Sequence, residues 1–206
     1  MATADLYLKR MDFERYFPHT YCARCGLASC KDFLRRMRAG LIKPEVCVCL
    51  SREEIYAFEV VRKMSELWPD VPLLVHPRRS FVGLMELNEP NKESLILLTG
   101  NNEFTQQVLM TVLGTTVCPF FVLCVDTDGD TVDMSMVHET LTCERIRAQI
   151  VQTDLEQKSV RKEIIIPGLA APLKDEIEKA TGWRVRVGPL CAAELPLFLS
   201  DIWLPP

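Results

Sequence analysis

Residues 162–189 read "KEIIIPGLAAPLKDEIEKATGWRVRVGP", and this stretch decides the fold. "KEIIIPG" and "WRVRVGP" are short runs rich in β-branched residues that close on Pro and Gly, the texture of strands followed by turns. Between them, "PLKDEIEKATG" reads as a helix stopped by a glycine. Working outward, the alternation continues. "VPLLV" (71–75), "SFVGLMEL" (80–87), "SLILLTG" (94–100) and "PFFVLCVD" (119–126) are strand-like, whereas "EFTQQVLMTVL" (103–113), "ETLTCERIRAQIVQTDLEQ" (139–157) and "CAAELPLFLSDIW" (191–203) are helix-like. Several strands are almost wholly apolar, as expected where helices cover both faces of a sheet. The reading is a mostly parallel α/β domain over residues 69–206.

The strand ends carry the first functional signal. "LLTGNN", "VDTDGD", "IIPGLAAP" and "VGPLCAAE" each place Gly, Asp, Asn or Pro directly after an apolar run. In open α/β sheets, ligands bind in the crevice at the carboxyl ends of the strands, and small residues there let backbone approach them closely. Ordinary turns have the same composition. Four such loops in one domain leave a shared ligand site and ordinary turns evenly weighted.

Residues 1–68 have a different texture. Leu6, Met11, Phe13 and Tyr16 predict an amphipathic helix ending near Pro18, and "CKDFLRRMRAG" a second one stopped at Gly40. "SREEIYAFEVVRKMSELW" begins with Ser51 as N-cap and Glu54 three residues later, a capping box. Its apolar positions Ile55, Phe58, Val61, Met64 and Leu67 recur at helical spacing. "PDVP" (Pro69–Pro72) then marks the expected boundary.

Five of the nine cysteines fall in residues 22–49. An odd, clustered set fits a local metal site better than a disulfide framework. Cys22, Cys25 and Cys30 are spaced C-x2-C-x4-C, and sixteen residues intervene before Cys47. Structural zinc sites usually pair two C-x2-C knuckles. Three close thiolates and one remote one suit a 4Fe–4S cubane, and Gly26, Ala28 and Ser29 would let the loop pass close to inorganic sulfide. Buried free cysteines or a reactive C-x2-C pair are the competing readings. Cys118, Cys124, Cys143 and Cys191 are scattered among apolar residues, where packing is the default, with Cys191 also near the last strand-end loop. "ERIRAQ" (144–149) and "PRR" (77–79) read as solvated charge, and "VDMSMV" (132–137) as a strand-like run before a surface His138.

The charged fraction of 25%, hydrophobic fraction of 48% and formal charge of −4 describe a globular protein with no general attraction to nucleic acid or anionic membranes. No apolar run approaches the roughly 20 residues of a membrane helix. The amphipathic, acid-containing start reads as neither signal nor transit peptide, so a cytoplasmic location is expected.

"YFPHTYCARCGLASCKDFLRRMRAGLIKPEVC" resembles the 4Fe–4S segment of the large (gamma) subunit of the corrinoid iron–sulfur protein of the acetyl-CoA synthase/decarbonylase system. Pro18, Thr20, Cys22, Cys25, Gly26, Cys30, Phe33, Gly40 and Cys47 fall on its pattern. Where the family usually has Pro after the last cysteine, this chain has Val48 and Cys49, so Cys49 competes with Cys47 as a ligand. The later part resembles the corrinoid-binding domain of the same family through Asp126-Thr127-Asp128-Gly129, "IIIPGLAAPLKDEIEKATGW" and "GWRVRVGPLCAAELPLFL", with a poorer match at "LLTGNNEFT". The family carries a (β/α)8 barrel between these parts. Only about 45 residues separate Cys49 from Ser94 here, too few for a barrel of roughly 250 residues.

The resemblance implies a small helical 4Fe–4S module over residues 1–68, followed by a Rossmann-like, mostly parallel α/β corrinoid-binding domain over 69–206. It implies a base-off cobamide without a protein histidine ligand; the chain has no D-x-H-x-x-G motif, and His19, His76 and His138 are its only histidines. The cluster ligands would be Cys22, Cys25, Cys30 and Cys47. The corrinoid would rest on Thr99, Gly100, Asn101, Asn102, Phe104 and Thr105, on Asp126, Thr127 and Gly129, on Pro167, Gly168, Leu169, Ala170, Ala171, Pro172 and Leu173, and on Gly188, Pro189, Ala192, Ala193 and Glu194. The implied role is an anaerobic methyl-group carrier, a component rather than a complete enzyme, with the cluster passing an electron to inactive Co(II). Implied partners are a methyl donor or acceptor protein, a corrinoid reductase, or a second chain covering the cobalt face. An iron–sulfur electron-transfer module that binds no corrinoid, and an enzyme with another small ligand in the crevice, are the alternatives.

Overall fold

The structure, a computed structural model, describes residues 11–17, 24–69 and 77–206. The expected strand at 71–75, Cys22, His19, His76, and residues 1–10, with Leu6 of the expected amphipathic helix, lie outside the described residues. Five strands form one sheet: β1 (Gly83–Leu87), β2 (Leu95–Gly100), β3 (Phe120–Val125), β4 (Glu163–Ile166) and β5 (Arg184–Val187). Their order is β1-β3-β2-β4-β5. β3, β2, β4 and β5 run parallel, and β1 closes one edge antiparallel to β3.

The apolar strands sort by alternation, since successive side chains point to opposite faces. Leu95, Leu97, Phe120, Val122, Cys124 and Ile165 enter one core, and Ile96, Leu98, Phe121, Leu123, Val125, Ile164 and Ile166 enter the other. All six residues of β2 and of β3 are buried, which explains why these strands read as continuous apolar runs.

Nine α-helical segments are described: α1 (Cys30–Arg38), α2 (Arg52–Arg62), α3 (Met64–Leu67), α4 (Glu103–Leu113), α5 (Val132–Val137), α6 (Cys143–Gln152), α7 (Leu155–Lys158), α8 (Lys174–Thr181) and α9 (Leu195–Phe198). On the first face, Leu109, Val112 and Leu113 of α4, the segment through α9, and Trp203 pack with Phe13, Phe17, Phe33, Phe58 and Met64 of the N-terminal part. Phe17 lies 5.5 Å from Phe33 and 6.0 Å from Phe58, ring centre to ring centre. Each such buried ring contributes about 1.5–3 kcal/mol. The N-terminal helices and the sheet therefore share one core. The second face carries Ile146 and Ile150 of α6, Leu155 of α7, Ile177 of α8, and Trp183.

The capping box forms as the sequence predicts: Ser51 Oγ accepts from the Glu54 N–H at 3.1 Å, and Glu54 Oε2 accepts from the Ser51 N–H at 2.7 Å. Gly40, at φ +72°, follows α1 as its stop. Four expectations are corrected. "VDMSMV" is helical, because Thr131 is extended before it and Ser135 and His138 donate backbone bonds to Thr131 and Met134. The stretch 139–157 is two helices, broken at Asp154, whose φ of +52° is left-handed. "CAAELPLFLSDIW" is one turn of α9 flanked by 3-10 turns at Ala192–Glu194 and Ser200–Ile202. Tyr16 ends a 3-10 turn over Phe13–Tyr16, so the helical spacing expected there does not hold.

Candidate functional site

The connections define a switch point in the sheet. β2 leads into α4 on the first face, whereas its parallel neighbour β4 leads into α8 on the second. Chains leaving adjacent strand ends toward opposite faces open a crevice between them, the switch point of a doubly wound sheet. The loops after β2 (99–105) and β4 (167–173) border it, with those after β3 and β5 on either side.

Each pair of loops is locked by contacts that need its particular residues. After β2, Asn101 Oδ1 accepts from the Thr127 N–H at 2.8 Å, the Thr127 hydroxyl at 3.0 Å and the Gly129 N–H at 3.0 Å. Its Nδ2 donates to Asp126 Oδ1 at 2.9 Å. Asn102 Nδ2 donates to the Gly129 carbonyl at 2.7 Å, while its Oδ1 caps α4 by accepting from the Thr105 N–H. A side chain on Gly100 would put its Cβ 2.7 Å from Thr127 Oγ1. The 99–105 loop and the Asp126–Gly129 turn thus close on each other without a gap.

After β4, the Gly168 N–H donates to the Pro189 carbonyl at 2.8 Å, and the Gly188 N–H to that of Ile166 at 2.8 Å. A Cβ at Gly168 would lie 2.8–2.9 Å from the backbone of Gly188, Pro189 and Leu190. This close approach requires glycine. The 167–173 and 188–194 loops are therefore one backbone-paired unit.

The expected contact residues divide by exposure. Thr99, Gly100, Asn101, Asn102, Thr127, Gly129, Ala170, Gly188, Pro189, Ala193 and Glu194 are buried, so they build the loops from within. Leu169 and Pro172 are exposed, and Phe104, Thr105, Asp126, Pro167, Gly168, Ala171, Leu173 and Ala192 are half-buried. These ten are the ones whose surface a ligand can reach.

Several participants have no sequence signature. The segment at Arg78–Ser80 straps the β2 and β3 loops: the Arg78 N–H donates to the Gly129 carbonyl at 2.9 Å, and the Ser80 N–H to that of Asn101 at 2.7 Å. Arg79 and Arg145 grip the two carboxylate oxygens of Asp128 at 2.8 and 3.0 Å, and Arg145 also donates to the Asp126 carbonyl. Arg78 pairs with Glu103, so Arg78, Arg79 and Arg145 are at least partly exposed, in keeping with solvated charge, and also ion-paired within the loops. His138 ends α5 with Nδ1 2.9 Å from the buried Asp130 carboxylate. Tyr16 donates to Glu194 Oε2 at 3.0 Å, across 178 positions of sequence.

In the cysteine segment, Cys47 is buried and Cys25, Cys30 and Cys49 are half-buried. Burial pushes the Cys47 thiol up, and the neighbouring Cys49 and Cys25 add to this. The Cys49 and Leu50 N–H groups, which bond its sulfur, pull it down. The Cys47 sulfur is therefore buried and held by backbone donors, beside the thiols of Cys25 and Cys49. Among the described residues, no three His, Cys, Asp or Glu side chains gather into a metal-holding group. Cys118 and Cys124 are buried, as packing predicts, and burial raises the Cys191 thiol to about 11. No described helix is long and apolar enough to cross a membrane.

The fold is a doubly wound, mostly parallel α/β sheet that shares a core with a cysteine-bearing helical segment. Residues 57–199 match the family model described as the CO dehydrogenase/acetyl-CoA synthase delta subunit, and the chain belongs to that family. Among curated relatives, the acetyl-CoA decarbonylase/synthase complex subunit gamma of Methanopyrus kandleri is 31% identical over 155 residues, 70% of this chain and 34% of the relative. That of Methanothermobacter thermautotrophicus is 30% identical over 168 residues, 77% and 37% respectively. The corrinoid/iron-sulfur protein large subunit of Moorella thermoacetica is 34% identical over 130 residues, 63% and 28% respectively. The chain thus spans about a third of the length of these relatives.

Proposed function

We propose that this chain is a methyl-group carrier that binds a corrinoid at the β2/β4 crevice and a 4Fe–4S cluster through Cys22, Cys25, Cys30 and Cys47. The carrying observation is the crevice itself: neighbouring strands β2 and β4 connect to opposite faces, and Gly168 brings two loops into backbone contact beside it. The names of the relatives, which specify a corrinoid/iron-sulfur protein and a decarbonylase/synthase complex, support the same ligands and the same setting.

When bound, the corrinoid supplies a cobalt that accepts and gives up a methyl group, and the cluster supplies it with single electrons. The residues of the chain bind and orient. The 167–173 and 188–194 loops offer backbone and small side chains to a flat ring, with Leu169 as an exposed apolar contact. Asn101 fixes the opposite wall through its bonds to Thr127, Gly129 and Asp126. Burial of Cys47 and the two N–H groups on its sulfur would shield the cluster from water and set its potential. The cysteine segment belongs to residues 1–68 and the crevice to residues 69–206, and the remaining partner, a methyl donor, acceptor or reductase, is a separate protein.

Purification under anaerobic conditions with metal analysis tests the reading. The expected result is about four iron atoms per chain, with a broad visible band that fades on dithionite reduction. Zinc without iron would overturn the cluster assignment.

A further inference from the structure

The Tyr16–Glu194 hydrogen bond joins two regions that the sequence holds 178 positions apart. Tyr16 closes the Phe13–Tyr16 turn, in the segment that leads into the cysteines. Glu194 ends the Ala192–Glu194 turn of the β5 loop, which packs against α4, the helix that starts at the β2 loop. The bond therefore runs from the cysteine segment to a turn that touches elements on both sides of the crevice.

Its surroundings give it weight. Glu194 is only 7% exposed, and a carboxylate that deep loses most of its hydration. The Tyr16 hydroxyl replaces part of that hydration with a directed donor. Phe13, which opens the turn, and Phe17, which follows it, are buried in the same core as Ala193 and Leu195, so the two segments pack into one cluster around the bond. Arg15 and Asp12, the other charged groups that act on Glu194, are exposed.

We propose that Tyr16 is a positioning residue, a latch that couples the cysteine segment to the β5 loop of the crevice. This rests on the functional reading above and adds to it a route between the two sites. A ligand that seats against the 188–194 loop stabilises Glu194 where Tyr16 meets it, and through Tyr16 the segment that carries the cysteines. By linkage, the state of the cysteine segment alters ligand affinity by the same factor.

Hydrogen–deuterium exchange on the full chain tests the latch, with Tyr16→Phe removing only the donor. The expected result is amide exchange at least about fivefold faster in both 11–17 and 188–194, with the central strands β2 and β3 unchanged. Glu194→Gln retains an acceptor for the hydroxyl and is expected within about twofold of wild type. Titration with hydroxocobalamin should show affinity reduced about fivefold or more in Tyr16→Phe while iron content stays at the wild-type level. Exchange in 188–194 at the wild-type rate in Tyr16→Phe overturns the latch. If the wild-type chain binds no hydroxocobalamin, the functional reading fails, and the exchange result alone still decides whether the latch exists.

Discussion

Asn101 shows how one residue fixes the wall of a site. Its carboxamide oxygen accepts three hydrogen bonds from Thr127 and Gly129, all buried. Asn101→Ala would leave the Thr127 and Gly129 N–H groups without this acceptor, each costing about 1–3 kcal/mol less any relaxation, while the Thr127 hydroxyl keeps the Asp130 carbonyl. Urea denaturation should register a loss of about 3 kcal/mol. Glu194 makes the pH prediction. Burial raises its carboxyl above the ordinary 4.5, Tyr16 and Arg15 pull it down, and Asp12 pushes it up. With the folded value above the unfolded one, the unfolded chain releases its proton first as pH rises. Stability is therefore greatest below about 4.5 for this group, and falls as pH climbs through the raised value. In Glu194→Gln that fall should be absent from the stability–pH curve. Gly168 is legible in the sequence as a strand-end glycine. The Tyr16–Glu194 pair is not, because nothing local marks a contact between such distant residues.

At the scale of elements, periodicity and caps carry the reading. α4 begins and ends where "EFTQQVLMTVL" begins and ends, and the Ser51–Glu54 box starts α2. The β2 and β3 runs are readable because both of their faces are covered. Short elements are not. α5 has only six residues, and its Val132, Met134, Met136 alternation imitates a strand while its backbone bonds make a helix. The strand order, which creates the crevice, also has no local signal; it follows from long-range pairing. The paired loops after β4 and β5 give the prediction at this scale. Gly168→Val would drive its Cβ into the backbone of Gly188, Pro189 and Leu190. The loops should separate, with stability reduced by about 1–3 kcal/mol in thermal unfolding and hydroxocobalamin affinity reduced together with it.

For the whole molecule, one core runs from Phe13 through Phe33 and Phe58 to Phe120 and Trp203. The change of sequence texture near Pro69 marks a change of element type, while the apolar surfaces on its two sides pack together. Phe58→Ala, in α2, should lower stability by about 3–5 kcal/mol. Because the core is shared, hydrogen exchange should show protection lost in β2 and β3 as well as in α2. Such coupling would place a cysteine-held cluster and a crevice-bound ligand on one mechanical unit. The central claim is that the β2/β4 crevice holds a corrinoid. The most direct test is an anaerobic equilibrium titration of the iron-loaded chain with hydroxocobalamin, followed by visible absorption. The account predicts saturation at about one corrinoid per chain. Absence of saturable binding would contradict it.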